Sequence, residues 1–103
     1  MSSWFNKRDL NTWAADIADW RERKGFETSW DNVPTKLMLV VTELGEACEA
    51  HRNEEHEHFA EEAADSIIRL LDIVGSLGID IENEMSAKML SNESRPIRHG
   101  KKY

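Results

Sequence analysis

The stretch from residue 59 to 76 constrains this chain more than any other part of it. Ala60, Ala63, Ala64, Ile67, Ile68, Leu70, Leu71, Ile73 and Val74 recur at helical spacing. Placed at 100° steps, they spread over about two-thirds of the helix circumference, where a surface helix needs an apolar stripe of about 100°. A helix this apolar has to be covered on several sides, and a 103-residue chain has few other helices to offer. The expected fold is all-α: a four-helix bundle-type protomer with short loops, completed by homo-oligomerisation. Glu62, Asp65, Arg69 and Asp72 fill the narrow strip left over, and periodicity alone assigns that strip to solvent.

Spacing and punctuation locate the other helices. Leu10, Trp13, Ile17 and Trp20 predict a helix over about 9–24, ended by Gly25. Pro34 suits the first turn of a second helix that reaches residue 52. Residues 53–58 are acidic and histidine-rich, lack apolar periodicity, and read as the connection to a third helix over 59–76 or as the frayed start of that helix. Gly75 and Gly78 bracket the end of that helix, and Asp80 is a candidate N-cap for a fourth reaching residue 92. On the second helix Leu37, Val40, Val41, Leu44, Ala47 and Cys48 form the expected core stripe. Lys36, Leu39, Glu43, Glu46 and Ala50 form another strip beside it. The chain reads as one domain, 1–103, with a basic C-terminal tail over about 94–103.

Composition excludes several classes. Twenty Asp and Glu against thirteen Lys and Arg, a formal charge of −7, argue against a general nucleic-acid binder. No apolar run approaches the roughly 20 residues that span a bilayer, so no membrane partner is expected. A single cysteine, Cys48, excludes an internal disulfide framework. Met1 to Leu10 holds Asn6, Lys7, Arg8 and Asp9 and does not resemble a secretory apolar region, so the expected location is the cytoplasm.

The chemistry lies in two acidic pairs, Glu43-Leu44-Gly45-Glu46 on the second helix and Glu62-Ala63-Ala64-Asp65 on the third. Residues three apart on a helix are surface neighbours, so each pair aims two carboxylates in one direction. Two solvated acidic faces are one reading, and a cation site between packed helices is the other. Glu43 and Glu46 sit between Leu39 and Ala50, an odd setting for a solvated face. Four converging carboxylates call for protons or a hard divalent ion, Mg²⁺ first, with Mn²⁺ able to substitute. Because Mg²⁺ seldom has an all-protein cage and completes its shell with water and substrate phosphate, the pattern suggests metal-assisted attack of water on a phosphoryl centre. A ferritin-like di-iron centre needs Glu-x-x-His on two helices. The only such match, Glu55-His56-Glu57-His58, falls in the expected connection. His51, His56 and His58 read as surface histidines.

Lys88 and Asn92 share a strip with Ile81 and Met85, where Lys88 either snorkels to water or reaches phosphates. Arg95, Arg98, His99, Lys101 and Lys102 form a basic cluster, either a mobile tail or a flap that neutralises a triphosphate. Trp13 and Trp20 read as core, and Trp4, Phe5 or Trp30 are candidates to stack on a base.

Taken in order, Lys36-Leu37-Met38-Leu39, Thr42-Glu43-Leu44-Gly45-Glu46, Glu62-Ala63-Ala64-Asp65, Lys88-Met89 through Asn92, Arg95-Pro96 and His99-Gly100-Lys101 resemble the MazG-like all-α nucleotide pyrophosphohydrolases. The resemblance covers nearly the whole chain. It implies Mg²⁺-dependent hydrolysis of a (deoxy)nucleoside triphosphate between the α and β phosphates, giving monophosphate and pyrophosphate. Glu43, Glu46, Glu62 and Asp65 would be the metal-binding and catalytic acids, and Lys36, Lys88, Asn92 and Arg95 would bind substrate. It also implies a homodimer or dimer of dimers with sites near the subunit interface. Many members of the family carry a further glutamate where this chain has Thr42, which leaves the general base open and makes Glu49 and Asp72 local substitutes. The alternative is a non-catalytic helical interaction protein that keeps the family fold.

Overall fold

Four α-helices, α1 (Leu10–Arg23), α2 (Val33–Arg52), α3 (His56–Ser76) and α4 (Ile81–Glu93), make up the protein in a computed structural model that describes residues 3–97. There is no strand among the described residues. Asp9 starts α1, its carboxylate accepting from the backbone N–H of Thr12 at 2.8 Å; the Thr12 side chain first and this N–H second hold the Asp9 carboxyl below its ordinary range. Asp80 starts α4, accepting from the N–H of Asn83 at 3.1 Å. Gly25 and Gly78 follow the C-caps of α1 and α3 with φ of +90° and +70°, the left-handed region that glycine enters without a Cβ penalty.

The N-terminal ends of α1 and α4 cap one another. Glu82 Oε1 accepts from the N–H of Leu10 at 3.1 Å, while Asn11 Oδ1 accepts from the N–H of Glu82 at 3.2 Å. Asn11 Nδ2 also donates to Asp80 Oδ1 at 2.8 Å, the chief reason the Asp80 carboxyl lies below its ordinary range. Two positive helix-dipole ends meet here, and Asp9, Asp80 and Glu82 supply the compensating negative charge. Nearby, the Arg8 guanidinium lies over Trp13 and Trp4 and pairs with Asp16 at 3.2 Å, fastening the N-terminal segment to α1.

α3 is the central element, with α1 and α2 both packed on it, whereas α4 meets α1. Ala14, Ile17 and Leu71 are buried together, with Leu10, Trp13 and Val74 against them. α1 and α3 approach closest at Gly75, where a Cβ would run into the backbone carbonyl of Ala14. The bundle is helical throughout as expected, but α4 contributes no buried residue. No helix among the described residues is long and apolar enough to cross a membrane.

Two expectations need correction. On α2, Val40, Ala47 and Ala50 are buried, but Leu37, Val41, Leu44 and Cys48 are exposed, so the supposed core stripe is turned outward. The face α2 offers to α3 is centred instead on the strip that carries Glu43. α3 begins at His56 rather than Phe59: residues 56–58 are the start of the helix, the second of the two readings, and only residues 53–55 are the connection, with Glu54 at φ +58°. The first three residues of α3, His56, Glu57 and His58, are all polar, so no apolar periodicity announces them.

Gly75→Ala should destabilise the protein by about 1–3 kcal/mol, because the new methyl meets backbone that cannot rotate away. A thermal or urea melt measures this, and an unchanged midpoint would mean that α1 and α3 do not cross here.

Candidate metal centre

The connection of three residues sends α3 back along α2, and the His51 and Phe59 rings meet edge-on at 6.4 Å beside the turn. Farther from the turn, the antiparallel pair brings Glu43 of α2 to Glu62 and Asp65 of α3. One carboxylate oxygen from each of the three lies within 4.8 Å of the others. Glu43 is half-buried, Asp65 is exposed, and Glu62 retains only 6% of its surface in solvent. Glu62 Oε2 is buried with no hydrogen-bond partner. Glu46, the fourth acid of the sequence pattern, stands exposed at the rim and acts on Glu62 by both hydrogen bonding and charge.

The electrostatics follow from this crowding. Glu43 and Glu46 beside it, together with burial, push the Glu62 carboxyl up to about 7. Glu43 moves the other way: the hydrogen bond it accepts from Glu62 lowers it, burial opposes this, and Arg69 adds to the lowering. The pair therefore shares one proton near neutrality. Arg69 Nε lies 3.1 Å from Glu43 Oε1 and is the nearest positive charge. His58 stands on the other flank, its Nε2 3.6 Å from Glu62 Oε1.

The polar strip of α3 is thus only partly solvated: Glu62 and Asp72 are buried, while Asp65 is exposed. The structure unites Glu43, Glu62 and Asp65, with Glu46 at the edge. Sequence reasoning gave Arg69 and His58 no role, although 58, 62, 65 and 69 fall on one strip. That spacing was a signal, but it acquires meaning only once Glu43 comes across from α2.

Asp72 and Glu49, the local substitutes for the missing glutamate, are engaged elsewhere. Asp72 Oδ2 accepts from Thr28 Oγ1 at 2.8 Å and lies 3.1 Å from Arg21 Nε, a charge contact without an aligned hydrogen bond, while Oδ1 accepts from Ser76 Oγ at 3.1 Å. Its oxygens are committed to tying α1, the 26–33 loop and α3 together. Glu49 is exposed and paired with Arg52 at 3.3 Å.

Lys36 shares the Glu43 strip but stands seven residues away, about 10.5 Å of helix, with its Nζ 6.0 Å from the Phe26 ring centre. Lys88 and Asn92 on α4, and Arg95 just beyond it, are not brought to the carboxylates within one protomer. α4 leaves from the far end of α3, and the eleven residues from Asp65 to Ser76 already span about 16 Å. Arg98, His99, Lys101 and Lys102 lie outside the described residues. Comparison with protein-family models, with characterised proteins and with solved structures returned no match to this chain.

The raised Glu62 group sets a pH dependence. The cation-free folded protein holds this proton up to about 7, whereas the unfolded chain releases it near 4.5, so its contribution to stability is full below 4.5 and lost as pH rises through 7. Glu43, being lowered, contributes above 4.5 and loses that only at lower pH, outside this window. Melting temperature in EDTA should therefore fall between pH 4.5 and about 7, and a divalent cation should restore it above 7 by replacing the proton. Melts that are flat over this range, with and without cation, would contradict it.

Proposed function

We propose that this protein is a Mg²⁺-dependent nucleoside triphosphate pyrophosphohydrolase that cleaves between the α and β phosphates of (deoxy)nucleoside triphosphates, releasing monophosphate and pyrophosphate. The observation that carries the reading is Glu62 Oε2, a buried carboxylate oxygen with no donor of its own among neighbouring acids. A buried carboxyl crowded by other acids is held by a proton, as here beside Glu43 and Glu46, or by a cation that takes the proton's place. An all-oxygen donor set fits a hard divalent ion, which when bound would polarise a phosphoryl oxygen and lower the pKa of a water.

In this reading Glu43, Glu46, Glu62 and Asp65 hold the ion, and a carboxylate not engaged by it accepts the proton of the attacking water. Arg69, already beside Glu43, offsets negative charge when a phosphate enters. Lys36 lies along the same strip for the outer phosphates, while Lys88, Asn92 and Arg95 are assigned to phosphate binding by the resemblance. The role would be clean-up of the nucleotide pool.

The assembly we propose is a homodimer or a dimer of dimers. Leu37, Val41 and Leu44 of α2 and Ile67 and Leu70 of α3 are exposed. Helical geometry places them together on one side of the antiparallel pair, where a second copy would cover them. The same face is what favours the second reading, a non-catalytic helical interaction protein.

Incubation with each ribo- and deoxyribonucleoside triphosphate, in Mg²⁺ or EDTA, separates the readings. Mg²⁺-dependent monophosphate and pyrophosphate are expected, with Glu46→Gln and Asp65→Asn reducing turnover by about 100-fold or more at unchanged helical content. Absence of turnover on every triphosphate, with the fold intact, would favour the interaction protein. For the assembly, sedimentation should give at least a dimer mass, reduced to monomer by Leu44→Glu. A monomeric wild-type protein at tens of micromolar would remove the homodimer.

A further inference from the structure

Arg69 is held beside the acids by one nitrogen only. It follows Asp65 by four residues and Glu62 by seven, so its side chain shares their strip of α3. Its Nε donates to Glu43 Oε1 across the helix pair at 3.1 Å. Nη1 and Nη2 donate to no described group, yet neither is a buried atom without a partner, so both open to solvent. The side chain as a whole keeps only 29% of its surface exposed. Most of it is thus enclosed, while its outer edge of two parallel N–H groups is presented free, one turn from the exposed Asp65.

A guanidinium that served only to neutralise Glu43 would set two donors on the two carboxylate oxygens, the fork that arginine and carboxylate frequently form. Here Glu43 takes one N–H and is hydrogen-bonded to Glu62 as well. The Nη1 and Nη2 edge is left for a second oxyanion. Charge gives that edge a purpose: Glu43, Glu46, Glu62 and Asp65 carry more negative charge than one divalent ion cancels, so the ion-loaded centre still repels a phosphate. Lys88, Asn92 and Arg95 are not brought to the acids within one protomer, whereas Arg69 already stands there. Its planar fork matches two oxygens of a phosphate group.

We propose that Arg69 is a substrate-binding residue that grips a phosphate of the ion-bound ligand between Nη1 and Nη2 while Glu43 anchors it through Nε. The inference rests on reading the carboxylates as a metal centre and adds the group that recognises the anion there. It sets opposite effects on two ligands. Arg69 competes with a cation for Glu43, so its loss favours the ion; it attracts phosphate, so its loss disfavours the anion. A residue that merely braced Glu43 would weaken both when removed.

The test is calorimetric titration of the metal-stripped full chain, first with Mg²⁺ alone and then with pyrophosphate while free Mg²⁺ is kept in excess. Arg69→Gln should bind Mg²⁺ about threefold more tightly than wild type and pyrophosphate about tenfold more weakly. Arg69→Lys keeps the charge but not the fork, so Mg²⁺ affinity should stay within about twofold of wild type while pyrophosphate still weakens. Weakening of both ligands in Arg69→Gln, or pyrophosphate affinity unchanged in both variants, would overturn the role of Arg69 and leave the carboxylate centre standing. Mg²⁺ binding that is absent from wild type, or indifferent to Glu62→Gln, would overturn both.

Discussion

A carboxyl group held between two helices, out of water and short of donors, is costly unless something offsets it, and Glu62 is in that position. Its neighbours show what the offset consists of in the free protein: a proton shared with Glu43, and the Arg69 charge on the far side of Glu43. The rest of the architecture follows from how α3 must turn to put Glu62 there. Side chains on a helix are fixed at 100° steps, so pointing the 58, 62, 65 and 69 strip toward α2 turns Ile67 and Leu70 away from it. One rotation about the axis of α3 sets both the acidic centre and the exposed apolar face.

The same strip carries a second buried acid, and comparing the two is informative. Ten residues after Glu62, Asp72 is equally withdrawn from solvent, but Thr28, Ser76 and Arg21 supply donors or charge to both its oxygens. Those groups come from α1, the 26–33 loop and α3 itself, so Asp72 is the joint that holds the loop down while Gly75 lets α1 approach α3. Glu62 faces only other acids and a half-exposed histidine. The same helix thus carries a buried carboxylate with donors or charge at both oxygens at one end and, at the other, a buried carboxyl crowded by acids.

Much of the fold was legible beforehand because it is written locally. Asp80 as a cap, Gly25 and Gly78 as stops, and the existence of four helices depend on neighbours in the chain. The choice of buried face on α2 does not. Periodicity reports that Leu37, Val41, Leu44 and Cys48 share one side and that Leu39, Glu43 and Ala50 share another. It cannot report which side meets α3, because that depends on what α3 presents, and α3 presents Arg69 and a protonatable Glu62 where an apolar surface would ordinarily be expected. The four acids were visible as two pairs, whereas the parts played by Arg69 and His58 arise only from the juxtaposition of two helices.

The arrangement also separates two demands that often compete for one surface. Residues two apart on a helix point about 160° from each other. Ile67 stands two places from Asp65, and Leu44 two places from Glu46, so these two residues of the exposed face are each nearly opposite an acid of the centre. A second copy seated on Leu44 and Ile67 would cover apolar surface that is otherwise left in water, while the rim acids Glu46 and Asp65 remained accessible to an ion and to whatever phosphate the ion carries. In the proposed assembly, packing of subunits and entry of ligand would then occur on opposite sides of one two-helix layer. Strengthening the first does not obstruct the second, which is what a 103-residue chain requires if association supplies the burial that its own core lacks.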